Sequence, residues 1–311
     1  MNGIERIERR ISLQDMRILM SVIQAGSMGK AAKRLATSQP AISRSIADLE
    51  KALGVRLVDR TPQGIEPTQY GRALVKRGVA VFDELMQGVK DIEHLADPTA
   101  GELRIGASIA VAGGFVSSVI DRLSRKYPRL DFHVLATDTA TAYRALLERQ
   151  VDLVVVHLIE PTAQEHVNAE VLFNDPHVVV AGAQNPWTRR RRLRLADLIN
   201  EPWALPARDA PYGAVVLEAF RANGLGVPRT VVTSTLPVRS ALLATGRFLS
   251  MVPRVVLEFS GRHLLKGLSI DLPTTHRPLA IVTLKNRTLN PVAQLFADCA
   301  RETAKPLAKA K

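Results

Sequence analysis

The segment SMGKAAKRLATSQPAISRSIADLEKALG, residues 27–54, predicts two short helices joined by a tight turn. Ser27 is suited to cap the first helix, because a serine side chain accepts a hydrogen bond from an otherwise unpaired N–H group of the first turn. Ser38 is suited to cap the second helix, with Pro40 in its first turn, where the missing N–H is no loss. Gly54 can end that helix in a left-handed conformation. The segment therefore predicts a helix–turn–helix.

The second helix of this segment has two different faces. Apolar residues recur every three or four positions along it, which predicts one buried stripe. The residues of that stripe are Ile42, Ile46, Leu49 and Leu53. The opposite face carries Gln39, Ser43 and Arg44, whose amide, hydroxyl and guanidinium groups suit base edges and phosphates in the major groove. The periodicity alone is compatible with either a DNA-binding helix or an ordinary helical hairpin packed in a core.

The residues that follow Gly54 predict a β-hairpin. Residues 55–58 have the composition of a strand, residues 61–64 that of a turn, and residues 64–68 that of a return strand. A helix–turn–helix followed by such a hairpin is the arrangement of a winged helix. This arrangement favours DNA reading over the ordinary hairpin.

With the wing included, the sequence resembles the LysR-type transcriptional regulators. Many residue types at fixed spacing carry the resemblance, which makes it more specific than a short motif. They are Ala31, Ala32, Leu35, Ser38, Gln39, Pro40, Ala41, Ser43, Arg44, Leu49, Glu50, Leu53, Gly54, Arg60 and Thr61. The similarity is densest over residues 13–72 and continues more weakly to about residue 300.

The resemblance implies that the turn, the start of the second helix and the wing contact double-stranded promoter DNA. The residues expected at this contact are Thr37, Ser38, Gln39, Pro40, Ser43, Arg44, Arg60 and Thr61. The chain departs from the family pattern at Met28, where an aromatic residue is usual, and at Val58, where phenylalanine is common. At the wing tip, Gln63 stands where a basic residue is frequent, so a strong minor-groove contact is not expected there.

From Thr68 to Ala96 the pattern changes to one long helix. Apolar or small residues alternate three and four positions apart, as in a coiled-coil seam. The predicted contact residues of this seam are Val75, Phe82, Leu85, Val89 and Ile92. The seam predicts pairing with a second copy, which the resemblance also implies, because the family uses this helix as its dimer linker. The alternative is a helix packed on its own domain.

Strands and helices alternate from Glu102 onwards, which predicts parallel sheets covered by helices. The resemblance implies that this part is a two-lobed effector domain, similar to a type 2 periplasmic binding protein. The fold class is therefore α/β, with three successive parts. A winged helix–turn–helix is expected at 1–67, a linker and dimerisation helix at 68–98, and the effector-binding domain at 99–311.

Within the effector domain, lobe one is expected at about 102–180 and 268–303, and lobe two at about 181–267. The chain would then cross twice between the lobes. A strand is predicted at residues 268–272 and a last helix at residues 291–304. The lysine-rich tail beyond that helix is expected to be disordered.

Small or polar residues follow several of the predicted strands. Ligands of open α/β sheets bind beyond the C-terminal strand ends, and the resemblance places the effector cleft there. The residues expected to line it are Ser108, Thr137, Thr139, His157, Arg208 and Thr235. Each one alone could instead be a cap or turn residue, and a histidine in such a position is often a buried structural residue.

The chain carries a formal net charge of +12 over 311 residues, which favours a polyanionic partner. Residues 27–77 carry 10 basic and 4 acidic groups, so the DNA-facing segment is locally basic. Residues 1–100 together carry only +3, so most of the excess charge lies further along the chain. We interpret the arginine run at 189–192 as a solvated loop, with a second nucleic-acid contact as the alternative.

Several classes of protein find no support in the sequence. Cys299 is the single cysteine, so no intramolecular disulfide can form, which fits a reducing cytosol. The N-terminus is charged from Glu5 to Arg10, unlike a signal peptide, and no apolar run approaches the roughly 20 residues of a membrane span. The sequence shows no catalytic elbow, metal-ligand spacing or phosphate loop, so neither an enzyme nor a cofactor is expected.

We therefore expect a cytoplasmic DNA-binding transcription regulator whose promoter binding is controlled by a small-molecule effector. Two copies should pair through the linker helix, and the resemblance implies that two dimers form a tetramer. RNA polymerase is a further candidate partner, and no membrane partner is expected. The alternatives are a small-molecule-binding or transport protein without a role on DNA, and an enzyme on a doubly wound fold.

Overall fold

A computed structural model describes residues 11–159, 165–259, 264–272 and 275–309 of the chain. Residues 5–10, on which part of the targeting prediction depends, lie outside these ranges. The chain forms two compact units that meet in sequence after Gly88. Among the described residues, no helix combines the length and the apolar character that crossing a bilayer requires.

The head is the part of the first unit that precedes its long helix, and the described residues of the head form three helices and a two-stranded hairpin. The helices are α1 (Leu13–Ala25), α2 (Met28–Arg34) and α3 (Gln39–Leu53), and the strands are β1 (Val58–Thr61) and β2 (Gly64–Pro67). Ser27 and Ser38 accept hydrogen bonds from backbone N–H groups in the first turns of α2 and α3. Gly54 adopts φ 71° and ends α3 in the left-handed conformation. The predicted helix–turn–helix is confirmed.

The first wing strand begins three residues later than predicted. β1 pairs antiparallel with β2, whereas residues 55–57 lie outside the ladder. The carboxylate of Glu50, on α3, accepts the backbone N–H groups of Leu57 and Val58 at 2.7 and 3.2 Å. Because the backbone donors of Leu57 and Val58 bond to a helix side chain, the ladder of the hairpin begins only at Val58.

Buried side chains from the three helices and the hairpin form one core in the head. They are Leu19, Val22, Met28, Ala31, Ala32, Ile42, Ile46, Leu49, Leu57 and Val58. The predicted stripe of α3 is therefore buried, except for Leu53, which is 37% exposed. Met28 and Val58, which depart from the family pattern, both fill positions in this core.

One long helix, α4 (Gln69–Ala96), follows the hairpin and is about 42 Å long. Near its start, Val75 packs against the head core and Gly78 is buried against methionine side chains of α1. Phe82 is half-buried. The exposed seam residues are Leu85, Val89 and Ile92, at 50%, 44% and 69%. The head thus occupies the start of the predicted seam, and the seam is uncovered from Leu85 onwards.

The second unit is built around two five-stranded sheets. Its strands are β3 (Ala100–Ser108), β4 (Arg129–Thr137), β5 (Leu153–His157), β6 (Val167–Asp175), β7 (His177–Gly182), β8 (Trp203–Leu205), β9 (Thr230–Thr233), β10 (Leu249–Pro253), β11 (Leu265–Gly267) and β12 (Arg277–Leu284). The first sheet has the order β4-β3-β5-β12-β6, and the second has the order β11-β7-β10-β8-β9. Each sheet forms one lobe, so the unit is two-lobed, as expected.

Both lobes carry helices, and one apolar core joins them. The helices are α5 (Ser117–Lys126), α6 (Thr139–Leu147), α7 (Pro211–Ala222), α8 (Leu236–Ala244), α9 (Arg254–Phe259) and α10 (Pro291–Lys309). A helical turn, Ile109–Val111, and a π-helical turn, Ala112–Val116, precede α5, and short 3-10 turns occur at Pro186–Arg189 and Leu195–Leu198. Phe115 of lobe one and Phe248 of lobe two belong to the same buried cluster, so the lobes are packed together.

The chain crosses between the lobes at points that differ from the prediction. β7 pairs with β10 and β11 in the second sheet, so the first crossing lies at Pro176 rather than after residue 180. Leu268 and Leu272 pack in the core of lobe two, so the return crossing lies between Leu272 and β12. The second segment of lobe one therefore begins later than residue 268.

Four further elements differ from the sequence prediction. Residues 268–272 are not a strand: the Leu268 N–H still donates to the Val179 carbonyl of β7 at 2.8 Å, and the alternating apolar side chains beyond it pack into lobe two. β6 and α9 were not predicted. The last helix continues to Lys309, because Ala304 is buried and Leu307 packs on the core, so the expected disorder of the tail is wrong for residues 305–309. Residues 310 and 311 lie outside the described ranges.

Candidate functional site

The residues expected at the DNA contact lie around the start of α3. The exposed ones in the turn and on the helix are Thr37, Ser38, Gln39, Pro40 and Arg44. Ser43 is half-buried, and in the wing Arg60 is exposed while Thr61 is half-buried. A concave surface of about 500 Å³ borders α3 on the side of Thr37 and Arg44. The predicted reading face of α3 is therefore accessible.

Some polar groups of this face already have partners within the head. Ser38 Oγ accepts the N–H of Ala41 at 3.3 Å, and Thr61 Oγ1 donates to the carbonyl of Gly64 at 3.2 Å. These bonds shape the start of α3 and the wing turn. Within the described ranges, the side chains of Gln39 and Arg44 form no hydrogen bond or ion pair. Their amide and guanidinium groups are available for base edges.

A second polar site lies where three strand ends of lobe one meet a side chain of lobe two. Ser108 ends β3, His157 ends β5 and Asp175 ends β6, and all three are buried. Tyr212, in the first turn of α7, places its hydroxyl 2.8 Å from His157 Nδ1 and 3.3 Å from Ser108 Oγ. His157 Nε2 lies 2.8 Å from Asp175 Oδ2. The four side chains form one hydrogen-bonded network between the lobes.

The carboxylate of Asp175 sets the hydrogen-bonding roles in this network. A carboxylate oxygen only accepts, so His157 Nε2 carries the hydrogen and donates a hydrogen bond to Asp175. In the neutral imidazole, Nδ1 is then the acceptor, and the Tyr212 hydroxyl donates to it. Burial raises the pKa of the Tyr212 phenol above its ordinary value, so the phenol stays protonated as a donor. The backbone N–H of Val255 also donates to Asp175, at 3.2 Å.

A second buried histidine borders the phenol. The ring centroids of His177 and Tyr212 lie 5.8 Å apart. His177 Nδ1 donates to the carbonyl of Thr275 at 3.1 Å, and its Nε2 has no partner among the described residues. Burial, helped by the nearby His157, lowers the pKa of His177 to about 3, so the ring is neutral at ordinary pH. Its Nε2 is therefore a buried acceptor without a donor.

Arg239, on α8, is a buried cation in the same region. Its Nη1 donates to Ser250 Oγ at 3.0 Å and to the carbonyl of Met251 at 3.2 Å. Burial lowers the pKa of Arg239 to about 10, and its charge in turn lowers the pKa of Tyr212 and of His177. Within the described part of the chain no carboxylate pairs with it, and its Nε has no partner.

Two family models match the chain and divide it as the structure does. A model for the helix-turn-helix of bacterial regulatory proteins of the lysR family matches residues 13–72, and a model for the LysR substrate binding domain matches residues 96–305. The chain belongs to the LysR family. The resemblance on which the sequence prediction rests is thereby confirmed, and the chain is a DNA-binding transcriptional regulator of LysR type with an effector-binding domain.

Similarity to known regulators extends over nearly the whole chain. The HTH-type transcriptional regulator TdcA of Escherichia coli is 25% identical over 289 residues, covering 93% of this chain and 92% of TdcA. The SDS degradation transcriptional activation protein of a Pseudomonas species is 29% identical over 293 residues, covering 91% and 93%. A full-length OxyR variant from Pseudomonas aeruginosa shares the fold with a TM-score of 0.67 and 22% identity, covering 95% and 97%. CbnR, solved as a complex with its target DNA, shares it with a TM-score of 0.55 and 19% identity, covering 94% and 100%.

In this LysR-family substrate-binding domain, two of the six residues expected to line the effector cleft belong to the hydrogen-bonded network. Ser108 and His157 are buried and share the hydroxyl of Tyr212. Ser108 makes no side-chain cap bond to the short turn that follows it, so its hydroxyl serves the network. A three-residue helical turn, Ile109–Val111, follows Ser108 directly.

The other four residues are not hydrogen-bonded to the network among the described residues, although Thr137 is paired with Ser108 in the ladder of β3 and β4. Thr137 and Thr139 flank Asp138, which caps α6, and the Thr137 hydroxyl donates to the Asp138 carboxylate at 3.4 Å. Arg208 and Thr235 are exposed. Among the described residues, no hydrogen bond joins any of these four to Tyr212, and their role at the cleft stays a prediction.

Four members of the site were missed by reasoning from the sequence, namely Asp175, His177, Tyr212 and Arg239. Asp175 ends a strand whose side chains are mostly exposed, so the apolar pattern that reveals β5 is absent. A polar pair around a proline, as in Asp175-Pro176-His177, is a local signal that could have pointed to the crossing between lobes. Tyr212 and Arg239 lie on helices of ordinary pattern, and nothing in their neighbourhood in the sequence marks them.

Proposed function

We propose that this LysR-family regulator reads promoter DNA with the face of α3 and is switched by a small molecule bound between its two lobes. The observation that carries the proposal is the accessible pair Gln39 and Arg44, which have no partner within the described head and lie on a helix capped by Ser38. Paired donors and acceptors of this kind discriminate between bases. CbnR, which shares the fold, has been solved on its target DNA, and this supports the proposal.

Pairing of two chains through α4 is the second part of the proposal. Leu85, Val89 and Ile92 expose apolar surface at coiled-coil spacing, and a second copy of α4 would remove that surface from water. Two such dimers would form the tetramer that the family resemblance implies. A dimer presents two heads, so the site on DNA should contain two half-sites related by symmetry.

Control by an effector is the third part. Ser108, His157 and Tyr212 join the two lobes, so a ligand that enters between them changes contacts of both. Such a ligand shifts the regulator only if it binds two lobe arrangements with different affinity. We place the regulator in the cytoplasm, where promoter DNA and RNA polymerase are its partners, and assign it no enzymatic step.

Selection of bound DNA from a random pool of duplexes tests the proposal without knowledge of the operator. The full-length chain is incubated with the pool, and retained duplexes are amplified and sequenced over several rounds. Enrichment of one motif with two symmetric half-sites is the expected result. The variant carrying Gln39→Ala and Arg44→Ala is the matched control and should enrich no motif.

A chain that enriches no sequence although it is folded would contradict DNA reading. That outcome would favour the alternative of a small-molecule-binding protein without a role on DNA. Enrichment of single, unpaired half-sites would leave DNA reading in place and contradict pairing of the heads through α4.

A further inference from the structure

The phenol of Tyr212 is a group of lobe two that is bound inside a site of lobe one. It extends from the start of α7, where the chain approaches itself closely, since a Cβ on Gly213 would lie 1.8 Å from the carbonyl oxygen of Ala207. The hydroxyl nevertheless contacts Ser108 and His157, which end strands of lobe one. The phenol therefore occupies the place beyond the strand ends where an open α/β sheet binds its ligand.

Two imidazoles lie beside the phenol, and each has one nitrogen that can only accept a hydrogen bond. Asp175 accepts a hydrogen bond from the His157 Nε2–H group, and the Thr275 carbonyl accepts one from the His177 Nδ1–H group. His157 Nδ1 receives the phenol O–H, whereas His177 Nε2 receives nothing among the described residues. A buried acceptor without a donor costs free energy, which a ligand with a second donor would recover.

These roles decide which chemical group fits the position of the phenol oxygen. A hydroxyl supplies the proton that His157 Nδ1 accepts and offers lone pairs to the Ser108 hydroxyl. A carboxylate in that position would face the lone pair of Nδ1, with the negative charge of Asp175 behind the ring. The charge of the buried Arg239 acts on the phenol, so an anion is the alternative to be tested.

We propose that the Tyr212 phenol is a built-in substitute for the effector, which is a small hydroxylated molecule whose hydroxyl displaces the phenol and donates to His157 Nδ1. The proposal rests on the proposed function, in which the effector binds between the lobes. Displacement would release the start of α7 from the ends of β3 and β5. Binding of the effector and the arrangement of the lobes are thereby coupled.

The test removes the phenol by mutation and measures whether small molecules bind in the cavity that it leaves. In the full-length chain, Tyr212→Ala removes the ring, and binding of para-cresol, toluene and para-toluate is measured by calorimetry. para-Cresol has the structure of the tyrosine side chain, toluene lacks the hydroxyl, and para-toluate carries a carboxylate in its place. para-Cresol should bind about fivefold more tightly than toluene, the effect of one ordinary hydrogen bond. para-Toluate should bind more weakly than toluene.

Phe220→Ala on the same helix is the matched control. Phe220 is buried in the apolar core of lobe two, with its ring 5.3 Å from that of Trp203. A cavity there should bind para-cresol no better than toluene. Equal binding of these two probes to Tyr212→Ala would overturn the proposal, because the hydroxyl would then not be recognised. Tightest binding of para-toluate would also overturn it and would show that Arg239 selects an anion.

Folding and DNA binding are measured separately from probe binding. If Tyr212→Ala does not fold, Tyr212→Leu retains more apolar packing and should give the same ranking of probes. If neither variant folds with para-cresol present, the phenol is a fixed structural part, which overturns the proposal. Failure of the wild-type chain to bind any duplex would contradict the proposed function. It would not change the order in which the three probes bind to Tyr212→Ala. With DNA binding intact, para-cresol should return Tyr212→Ala to the wild-type affinity for that duplex.

Discussion

The hydroxyl of Ser45, on α3, donates to Asp15 Oδ1 at 2.8 Å and ties the reading helix to the start of α1. The other carboxylate oxygen, Oδ2, accepts the Ser12 backbone N–H at 3.1 Å and its hydroxyl at 2.6 Å. One carboxylate thus closes the capping box of α1 and also holds α3. Burial alone would raise the pKa of Asp15, but the hydrogen bonds from Ser12 and Ser45 outweigh it and lower the pKa. The orientation of the reading face depends on this bond.

Ser45→Ala should lower the free energy of unfolding of the head by about 1 kcal/mol, because it removes one hydrogen bond between helices. Asp15→Ala should lower it by about 2 kcal/mol, because it also removes the carboxylate that accepts the Ser12 N–H and hydroxyl in the capping box of α1. Ser12→Ala is the control that removes the cap and leaves the link to α3. Denaturation in urea gives the three values. If Asp15→Ala costs no more than Ser12→Ala, the link to α3 contributes nothing to stability.

Arg44→Ala should cost about 1–3 kcal/mol on the selected duplex and much less on a scrambled duplex, because its guanidinium can bond a base edge bidentately. Lys33→Ala, on the exposed surface of α2, is the comparison. A contact to phosphate weakens both duplexes by similar factors and reduces the salt dependence. Binding of each variant to both duplexes over a salt series separates the two behaviours. Equal losses on both duplexes for Arg44→Ala would make Arg44 a phosphate contact and leave readout to Gln39.

Leu85→Glu combined with Ile92→Glu should weaken self-association at least tenfold, because two charges would be buried in the seam of a paired α4. Lys90→Glu, between them on the same helix, introduces an acid away from the seam and should have little effect. Sedimentation velocity over a concentration series measures the association. Unchanged association of the double variant would show that α4 is not the dimer contact.

Gly71→Ala should destabilise the head by about 1–3 kcal/mol, because a Cβ there would lie 2.0 Å from the carbonyl oxygen of Leu57. Gly88→Ala, on the same helix, meets no atom within 4 Å and should stabilise α4 by about 0.5–1 kcal/mol. Thermal unfolding followed by circular dichroism compares the two substitutions. A stabilising Gly71→Ala would mean that the approach of α4 to Leu57 is not required by the fold.

Local signals made the head predictable from the sequence. Ser38 and Gly54 act through bonds and backbone angles within a few residues, and the stripe at Ile42 and Ile46 reports burial directly. The wing was predicted with a shifted first strand, because the bond from Glu50 to the backbone of Leu57 crosses from helix to loop. Spacing along the chain does not report such a bond.

The network between the lobes was only half predictable for a related reason. Ser108 and His157 follow strands and could be selected from their positions, but their partner Tyr212 lies 104 residues after Ser108. The contact exists because the chain enters the second sheet at His177 and returns helix α7 toward the first. The tail shows an error of another kind. Its lysine-rich composition predicted disorder, whereas Leu307 packs on the core.

His177 should make the regulator sensitive to acid. Its pKa is lowered from 6.5 to about 3 in the folded chain, chiefly by burial and secondly by the nearby His157. In the unfolded chain the imidazole takes up a proton below its ordinary pKa, whereas the folded chain keeps it neutral. The free energy of unfolding is therefore not reduced by His177 above pH 6.5, and it falls as the pH drops from 6.5 toward 3. The loss should reach about 2 kcal/mol near pH 5, at roughly 1.4 kcal/mol per pH unit.

His177→Asn should remove this part of the pH dependence, because an amide does not titrate and its N–H can still donate to the Thr275 carbonyl. The free energy of unfolding of both chains is measured by urea denaturation between about pH 7.5 and 5. As the pH falls over that range, the free energy of unfolding of the variant should rise by about 2 kcal/mol relative to that of the wild type. His133→Asn, an exposed histidine on β4, controls for the loss of one histidine from the chain and should not reproduce that movement. Parallel pH profiles for His177→Asn and wild type would mean that His177 accepts a proton inside the folded chain, which is incompatible with its burial beside Tyr212.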